Sequence, residues 1–233
     1  MNNLSATKVI TIDNDEYPES LRKIYDSPKK IYCLGNTKLL NNTNNLAIIG
    51  CRDYSEYGKN IAKKFAYMLA KQGIVIVSGG ARGIDSFAHQ GAIMAKSATI
   101  AVLGNGIDYV YPPENRNLEE LIIRNNGLLL SEYPNGTKPS KYTFPARNRI
   151  ISALSKGILV VEAKQKSGTL ITVDFGLEQG KNIYAIPGNI NNINAAGTNE
   201  LIKQGAKLVT DINDIIEDFW YILVKSFYFY ANM

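Results

Sequence analysis

Residues 46–80 read LAIIGCRDYSEYGKNIAKKFAYMLAKQGIVIVSGG, and this stretch decides the fold. It begins and ends with short apolar runs bounded by glycine, which is typical of strands buried on both faces of a sheet. Between these runs, large apolar residues recur at helical spacing and predict one buried helix face. They are Ile61, Phe65, Met68 and Leu69. The stretch therefore predicts a strand, a covering helix and a second, parallel strand.

The same alternation continues toward the C-terminus. Further apolar runs occur at TIAVLGNG (99–106), GLLLSE (127–132), GILVVEA (157–163) and NIYAIPG (182–188). The residue pattern predicts helices over 58–72, 83–96, 114–125, 147–155 and 170–179. This order predicts an α/β fold with a doubly wound, mostly parallel sheet and helices on both faces.

The chain divides into three predicted parts. We expect the α/β domain over 46–210, preceded by a small, separate N-terminal extension over 1–45 and followed by a helical tail over 211–233. The tail, DIIEDFWYILVKSFYFYANM, is rich in aromatic residues. Two interpretations of it stay open: packing against the sheet, or dimerisation through an apolar surface that would be costly to expose.

Composition places the chain among ordinary globular proteins. It has 233 residues, of which 45% are hydrophobic and 20% charged. Cys33 and Cys51 lack metal-ligand spacing, which favours reduced thiols. The first residues do not resemble a secretory signal, and we find no apolar run long enough to span a membrane. These features predict a cytoplasmic protein.

Basic residues are concentrated in one segment. The formal net charge is +5, which is compatible with a polyanionic partner but not specific for one. The segment 133–157 has no acidic residue and five basic ones: Lys138, Lys141, Arg147, Arg149 and Lys156. This segment follows the predicted strand GLLLSE, so it begins at the sheet edge where parallel sheets bind ligands.

The loops after the first two strands of the α/β domain contain glycine and cations. Gly50 allows a sharp turn, and Arg52 lies where an anion could meet both a guanidinium and a helix N-terminus; a surface ion pair is the alternative for Arg52. Ser78, Gly79 and Gly80 follow the second strand and predict a nest of backbone amides suited to phosphate.

Asp85 and His89 lie four residues apart on the helix after the second strand. A metal ligand pair is one interpretation, but local hydrogen bonding and packing are favoured because a second metal ligand is not evident. His89 is the single histidine, which excludes a histidine-rich metal site.

The basic segment interleaves cations with aromatic rings. Lys138 and Lys141 alternate with Tyr142 and Phe144, a combination that suits single-stranded nucleic acid because cations follow the backbone while rings stack on bases. The alternative is an ordinary loop in which Phe144 fills the core. The helix that follows carries Arg147, Asn148 and Arg149, which cannot all face one way, so we expect at least one of them to hold loops together.

The loop after the fifth strand adds a helix start with positive charge. Ser167 and Thr169 can cap the next helix, Gly168 allows a phosphate to approach, and Lys164 and Lys166 supply cations. We find no nucleophile beside a base, no paired carboxylates, no Walker lysine and no metal cluster in the sequence. The pattern predicts a binding protein, not an enzyme, with no cofactor and no metal.

Seven segments in order resemble one family, the DNA-processing protein A family, also called DprA or Smf. The segments are GCRDYSEYG, SGGARGIDSFAHQGA, IAVLGNGIDYVYP, LLSEYP, FPARNRIISALS, VVEAKQKSGTLIT and IPGNINN…GTNELIKQGA. The resemblance covers about residues 17–209 and implies a Rossmann-like domain. Cys51 stands where the family usually has serine. The family's additional helical and winged-helix domains are not expected within this chain.

The resemblance implies sequence-nonspecific binding of single-stranded DNA, as a homodimer, in natural transformation. It also implies protection of incoming DNA and help in loading the RecA recombinase. The residues that it implies for DNA binding follow the quoted motifs: Arg52, Ser78, Gly79, Gly80, Lys141, Phe144, Arg147, Asn148, Arg149, Lys166, Ser167 and Gly168.

Two rival functions remain at this point. One is a nucleotide-processing enzyme such as a phosphoribohydrolase, although SGTLIT lacks the paired glycines and SGGARGID lacks the acidic residue inside the loop that such an enzyme needs. The other is a nucleotide-sensing module, which would bind a mononucleotide and be indifferent to oligonucleotide length.

Overall fold

Strand β3 (Asn45–Gly50) lies near the centre of a nine-stranded sheet in a computed structural model that describes residues 7–219. The other strands are β1 (Lys8–Thr11), β2 (Lys30–Gly35), β4 (Val75–Ser78), β5 (Thr99–Leu103), β6 (Leu128–Ser131), β7 (Gly157–Glu162), β8 (Asn182–Ala185) and β9 (Lys207–Leu208). Their order across the sheet is β1-β2-β6-β5-β4-β3-β7-β8-β9, and the run from β6 to β9 is parallel throughout. The predicted fold class is confirmed.

Helices cover both faces of the sheet. They are α1 (Glu19–Arg22), α2 (Glu56–Lys71), α3 (Ile84–Met94), α4 (Arg116–Arg124), α5 (Thr143–Ala153), α6 (Gly168–Glu178) and α7 (Ala196–Lys203). Successive residues of β3 point to opposite faces, so Ile48 belongs to the same buried cluster as Phe65 of α2, while Ile49 belongs to a second cluster with Ile150 of α5. Both faces of β3 are therefore buried, which is why its sequence is an unbroken apolar run.

The N-terminal extension adds two strands to this sheet. β1 pairs antiparallel with β2, and β2 pairs antiparallel with β6. Ile10, Ile31 and Cys33 are at most 1% exposed and share a core with Leu130 of β6. The described part of the extension is thus continuous with the main sheet and is not the separate unit that the sequence pattern suggested, because its apolar face is covered by the same core.

The described part of the C-terminal tail packs against the sheet. A helix over 213–219 follows β9. Ile212, Ile215 and Phe219 are buried in one cluster with Leu46 and Tyr184. The aromatic residues from 220 onward, to which the dimerisation interpretation mainly applies, lie outside the described residues.

A crevice opens between β3 and β7, where the order in which the chain adds strands to the sheet changes direction. From β3 the chain proceeds through α2 to β4 on one side, whereas β7 on the other side of β3 is reached later, from α5. Because the connecting helices cover opposite faces, the loops after β3 and β7 separate at their carboxyl ends. The Cys51 amide still donates to the Glu162 carbonyl at 3.0 Å, so the crevice opens just beyond these two residues.

Candidate functional site

A cavity of about 500 Å³ occupies this crevice. The loop after β3 provides Arg52, the loop after β7 provides Lys166, and the first turn of α5 provides Phe144. Eight of the twelve residues predicted to bind DNA line the cavity: Arg52, Lys141, Phe144, Arg147, Asn148, Lys166, Ser167 and Gly168. The topology therefore brings together residues that are more than 110 positions apart in the sequence.

The N-terminus of α6 faces this cavity. Ser167 caps the helix, since its hydroxyl accepts the Thr169 amide at 3.1 Å. Gly168 is exposed, and a Cβ built there would have no neighbour within 4 Å. A ligand can therefore approach the first helical amides closely, where the positive end of the helix dipole favours an anion.

Phe144 stands between this cavity and a second one. Its half-buried ring lies 5.1 Å from the guanidinium carbon of Arg52 and 5.5 Å from the ring of Tyr111. A Cβ at Gly104 would come within 2.8 Å of the Phe144 ring, so glycine is needed there for the ring to sit against the end of β5. Phe144 and Arg52 line both cavities, which makes them the boundary between the two.

The second cavity measures about 510 Å³ and lies over the ends of β4 and β5. Two more of the residues predicted to bind DNA line this cavity, Gly79 and Gly80. It also includes Arg82 and Tyr111, which the sequence reasoning did not select. The sequence did contain a signal that could have selected them, because both residues follow strands at the same sheet edge: Arg82 in SGGARG, and Tyr111 in GNGIDYVYP.

Positive charge dominates the first cavity, whereas the second is lined by two arginines and two acidic residues. The exposed side chains of Arg52, Arg82, Lys141 and Lys166 form no ion pair within residues 7–219. Lys164 is paired, because its ammonium lies 2.9 Å from Asp53 and the resulting hydrogen bond lowers the pKa of that carboxyl. The surface ion pair that was the alternative for Arg52 is absent from this described part of the chain, so its guanidinium is available to a ligand.

Arg147 is a buried residue that borders the first cavity and holds the Gly79 loop of the second. It is 3% exposed, and its guanidinium donates to the carbonyls of Gly79 and Val102. The Asp85 carboxylate accepts the Gly79 amide at 3.1 Å. Burial lowers the pKa of Arg147 to about 10 even though nearby Asp85 acts in the opposite direction. Arg147 borders the first cavity, but its guanidinium is used to fix the Gly79 loop.

Two predicted site residues, Ser78 and Arg149, lie away from both cavities. Ser78 is fully buried, and its hydroxyl donates to the Ile48 carbonyl at 2.7 Å. Arg149 is 6% exposed and is held by Glu132 at 2.7 Å and Asp26 at 3.1 Å. The physical reason is geometric: Ser78 ends a buried strand, and Arg149 projects from α5 toward the loops before β2 and after β6. The expectation that one of Arg147, Asn148 and Arg149 holds loops together is confirmed, for two of them.

His89 and Asp85 have the structural roles that were favoured for them. The imidazole of His89 is fully buried and its Nδ1 lies 2.8 Å from the Thr99 hydroxyl oxygen. Burial lowers the His89 pKa to about 3, because a charged imidazolium would be desolvated there. No group of three or more histidine, cysteine or acidic side chains suited to a metal ion occurs among residues 7–219.

The Arg149 assignment can be tested by separating stability from binding. We expect Arg149→Met to lower the free energy of unfolding by about 2–3 kcal/mol, because it leaves the nearly buried Glu132 without its cation. Urea denaturation measures this change. Oligonucleotide affinity of the folded variant should equal that of the parent, and a tenfold loss of affinity would return Arg149 to the binding site.

Comparison with known proteins identifies the family. The model of the family described as DNA recombination-mediator protein A matches residues 8–220. The chain belongs to this family. The DNA processing protein DprA of Bacillus subtilis (strain 168) is 42% identical over 90% of this chain and 70% of its own length. Protein Smf of Escherichia coli (strain K12) is also 42% identical, over 90% of this chain and 56% of its own length. The resemblance in sequence motifs is confirmed.

Two solved structures of DNA processing protein A extend the family assignment to the fold. The X-ray structure from Streptococcus pneumoniae has a TM-score of 0.86 and 40% identity, over 92% of this chain and 75% of that one. The structure from Helicobacter pylori has a TM-score of 0.82 and 35% identity, over 94% of this chain and 99% of that one. The Helicobacter protein is described as having a unique single-stranded DNA binding mode. Within residues 7–219 of the DprA-family chain, no helix has the length and apolar character that crossing a membrane requires.

Proposed function

We propose that this DprA-family chain binds single-stranded DNA without sequence preference in the crevice between β3 and β7. The observation that carries the proposal is the grouping of Arg52, Lys141 and Lys166 with the half-buried ring of Phe144 in one cavity. Cations and backbone amides would hold phosphates, while a base rests against Phe144. Contacts to phosphates and to the flat face of a base are the same for every sequence, so no sequence preference is expected.

The shape of the site favours an unpaired strand. The half-buried Phe144 ring lines a crevice, so a base has to leave its stack to reach it. That cost is smallest for a single strand. One relative supports the same choice, because the Helicobacter pylori protein of similar structure is described by its single-stranded DNA binding mode.

The proposal is tested by fluorescence anisotropy with labelled oligo(dT) and with a duplex of the same length. We expect tighter binding to the single strand and a log–log salt slope of about −0.7 for each phosphate contact. Equal affinity for both forms would contradict the proposal. Saturation by a mononucleotide with no dependence on oligonucleotide length would instead support a nucleotide sensor, and release of ribose from nucleotide monophosphates would support an enzyme.

The wider role is proposed from the family. We infer that the chain acts in the cytoplasm as a homodimer, protects incoming DNA during natural transformation and helps to load RecA. Two crevices on one dimer would hold one strand more tightly through effective concentration. Mass measurement in solution with and without oligonucleotide tests the dimer. Faster assembly of RecA on DNA already covered by this protein tests loading, and unchanged assembly would remove that part.

A further inference from the structure

The second cavity is built from two loops that are tied together. The side-chain amide of Asn115 donates to the Gly80 carbonyl at 2.8 Å, and its oxygen lies 3.2 Å from the Ser86 hydroxyl. Asn115 is buried, and it follows the Tyr111 loop in the chain. The Gly80 turn, with φ at +63°, is thus tied to the chain four residues after Tyr111, and the Tyr111 ring packs 5.5 Å from the ring of Phe144. A site fixed in this way loses little conformational entropy on binding.

The charges and rings of this cavity suit a base more than a buried phosphate. Its walls include Leu103, Pro112 and the rings of Tyr111 and Phe144, together with the carboxylates of Asp53 and Glu114. Carboxylates disfavour a phosphate inside the cavity, whereas aromatic rings accept the flat face of any base. Arg52 and Arg82 are exposed and can contact the phosphates that flank such a base.

We propose that the second cavity is a separate site for a base, occupied by the nucleotide next to the one held in the first cavity. Tyr111, which is 38% exposed, is the stacking residue, and Arg82 contacts the adjoining phosphate. Phe144 and Arg52 then stand between two consecutive nucleotides, because they line both cavities. This inference rests on the proposed single-strand binding and adds a two-nucleotide unit of recognition to it.

The test is a double-mutant cycle between protein and DNA. Oligo(dT) strands carrying one abasic site at each successive position are titrated against the parent protein and against Tyr111→Ala. We expect Tyr111→Ala to weaken binding of intact oligo(dT) by about tenfold. The loss should vanish when the abasic site is at one position, because the base that Tyr111 would contact is then already missing.

Two control variants separate stacking from structural damage. Tyr111→Phe keeps the ring and should bind like the parent. Tyr67→Ala removes a tyrosine that is 37% exposed near the C-terminal end of α2, on a surface remote from the crevice, and should also bind like the parent. Arg82→Gln should reduce the salt slope by about 0.7 and leave the abasic pattern unchanged.

The outcomes distinguish the two levels of the proposal. If the parent binds oligo(dT) but Tyr111→Ala shows the same loss at every abasic position, or no loss, the second site for a base is overturned and the first cavity stands. If the parent does not bind oligo(dT), the proposed function and this inference both fall. Coupling at one position, together with normal binding by Tyr111→Phe, supports the second site.

Discussion

Arg147→Met is expected to lower the free energy of unfolding by about 3–5 kcal/mol. The substitution keeps most of the side-chain volume but removes the donor to the Gly79 and Val102 carbonyls. It also removes the cation beside Asp85, which is 7% exposed. A buried carboxylate that loses its neighbouring cation, combined with the loss of two buried hydrogen bonds, is among the most destabilising defects in a protein interior. Urea or guanidinium denaturation measures the change.

The pH dependence of this loss identifies Asp85 as its source. Burial already raises the pKa of Asp85, and nearby Arg147 acts in the opposite direction, so the pKa should rise further in the variant. A carboxyl whose pKa is higher in the folded than in the unfolded state costs stability once it ionises, and the cost disappears below the unfolded pKa of about 3.9. The deficit should therefore be smaller at about pH 5 than at about pH 8.

An exposed arginine provides the control for this prediction. Arg124→Met removes a surface arginine whose pairing with Glu120 is 3.4 Å long, and its effect on unfolding should be small at both pH values. If Arg147→Met were no less stable than Arg124→Met, the hydrogen bonds of the Arg147 guanidinium to Gly79 and Val102 would not stabilise the fold. The structural role given to Arg147 would then have to be revised.

Arg52→Glu/Lys141→Glu is expected to weaken binding of single-stranded oligo(dT) by about 100-fold or more at about 50 mM salt. Both side chains line the first cavity, and both are exposed, so each reversal replaces an attraction to phosphate with a repulsion while the fold is retained. Fewer released counterions should also make the log–log salt slope shallower by about 0.7 for each lost phosphate contact. Fluorescence anisotropy over a salt series measures both effects.

The matched control reverses the same two charge types at the opposite edge of the sheet. Arg124→Glu/Lys71→Glu changes the net charge equally, at the C-terminal ends of α4 and α2. If net charge alone attracts DNA, the two double variants should lose affinity to the same extent. A selective loss for the crevice variant assigns binding to the cavity, whereas unchanged binding by that variant would contradict the proposed site.

Most of the fold follows from local sequence. The runs LAIIG and IVIVSGG predict adjacent buried strands because every second residue faces the same layer of helices, and both layers are apolar. Glycine and cations after successive strands predict a ligand edge, because parallel strands end at the same side of the sheet. These arguments need only the periodicity of the backbone, which is why Arg52, Lys141, Phe144 and Lys166 could be selected before their distances were known.

The extension over 1–45 shows where local sequence is insufficient. Its sequence predicts a small separate unit, yet β2 completes its hydrogen bonds with β6, almost a hundred positions later in the chain. Pairing across such a distance depends on which sheet edge is free after the other strands have packed. Local sequence patterns do not show which edge that is.

The sequence by itself determined the order of the central strands and helices from β3 to β8, the sheet edge that carries the candidate site and the chemical character of its residues, because each depends on short-range spacing and side-chain type. Tertiary structure alone decided which cations are exposed at the cavities and which are enclosed. Arg147 and Arg149 are two positions apart on α5, but one fixes the Gly79 loop and the other binds Glu132, while Lys141 stays exposed. It also decided that Tyr111 meets Phe144. Burial and hydrogen-bond partners depend on neighbours brought from distant strands. The sequence motif around an arginine is therefore the same whether its side chain is exposed or buried.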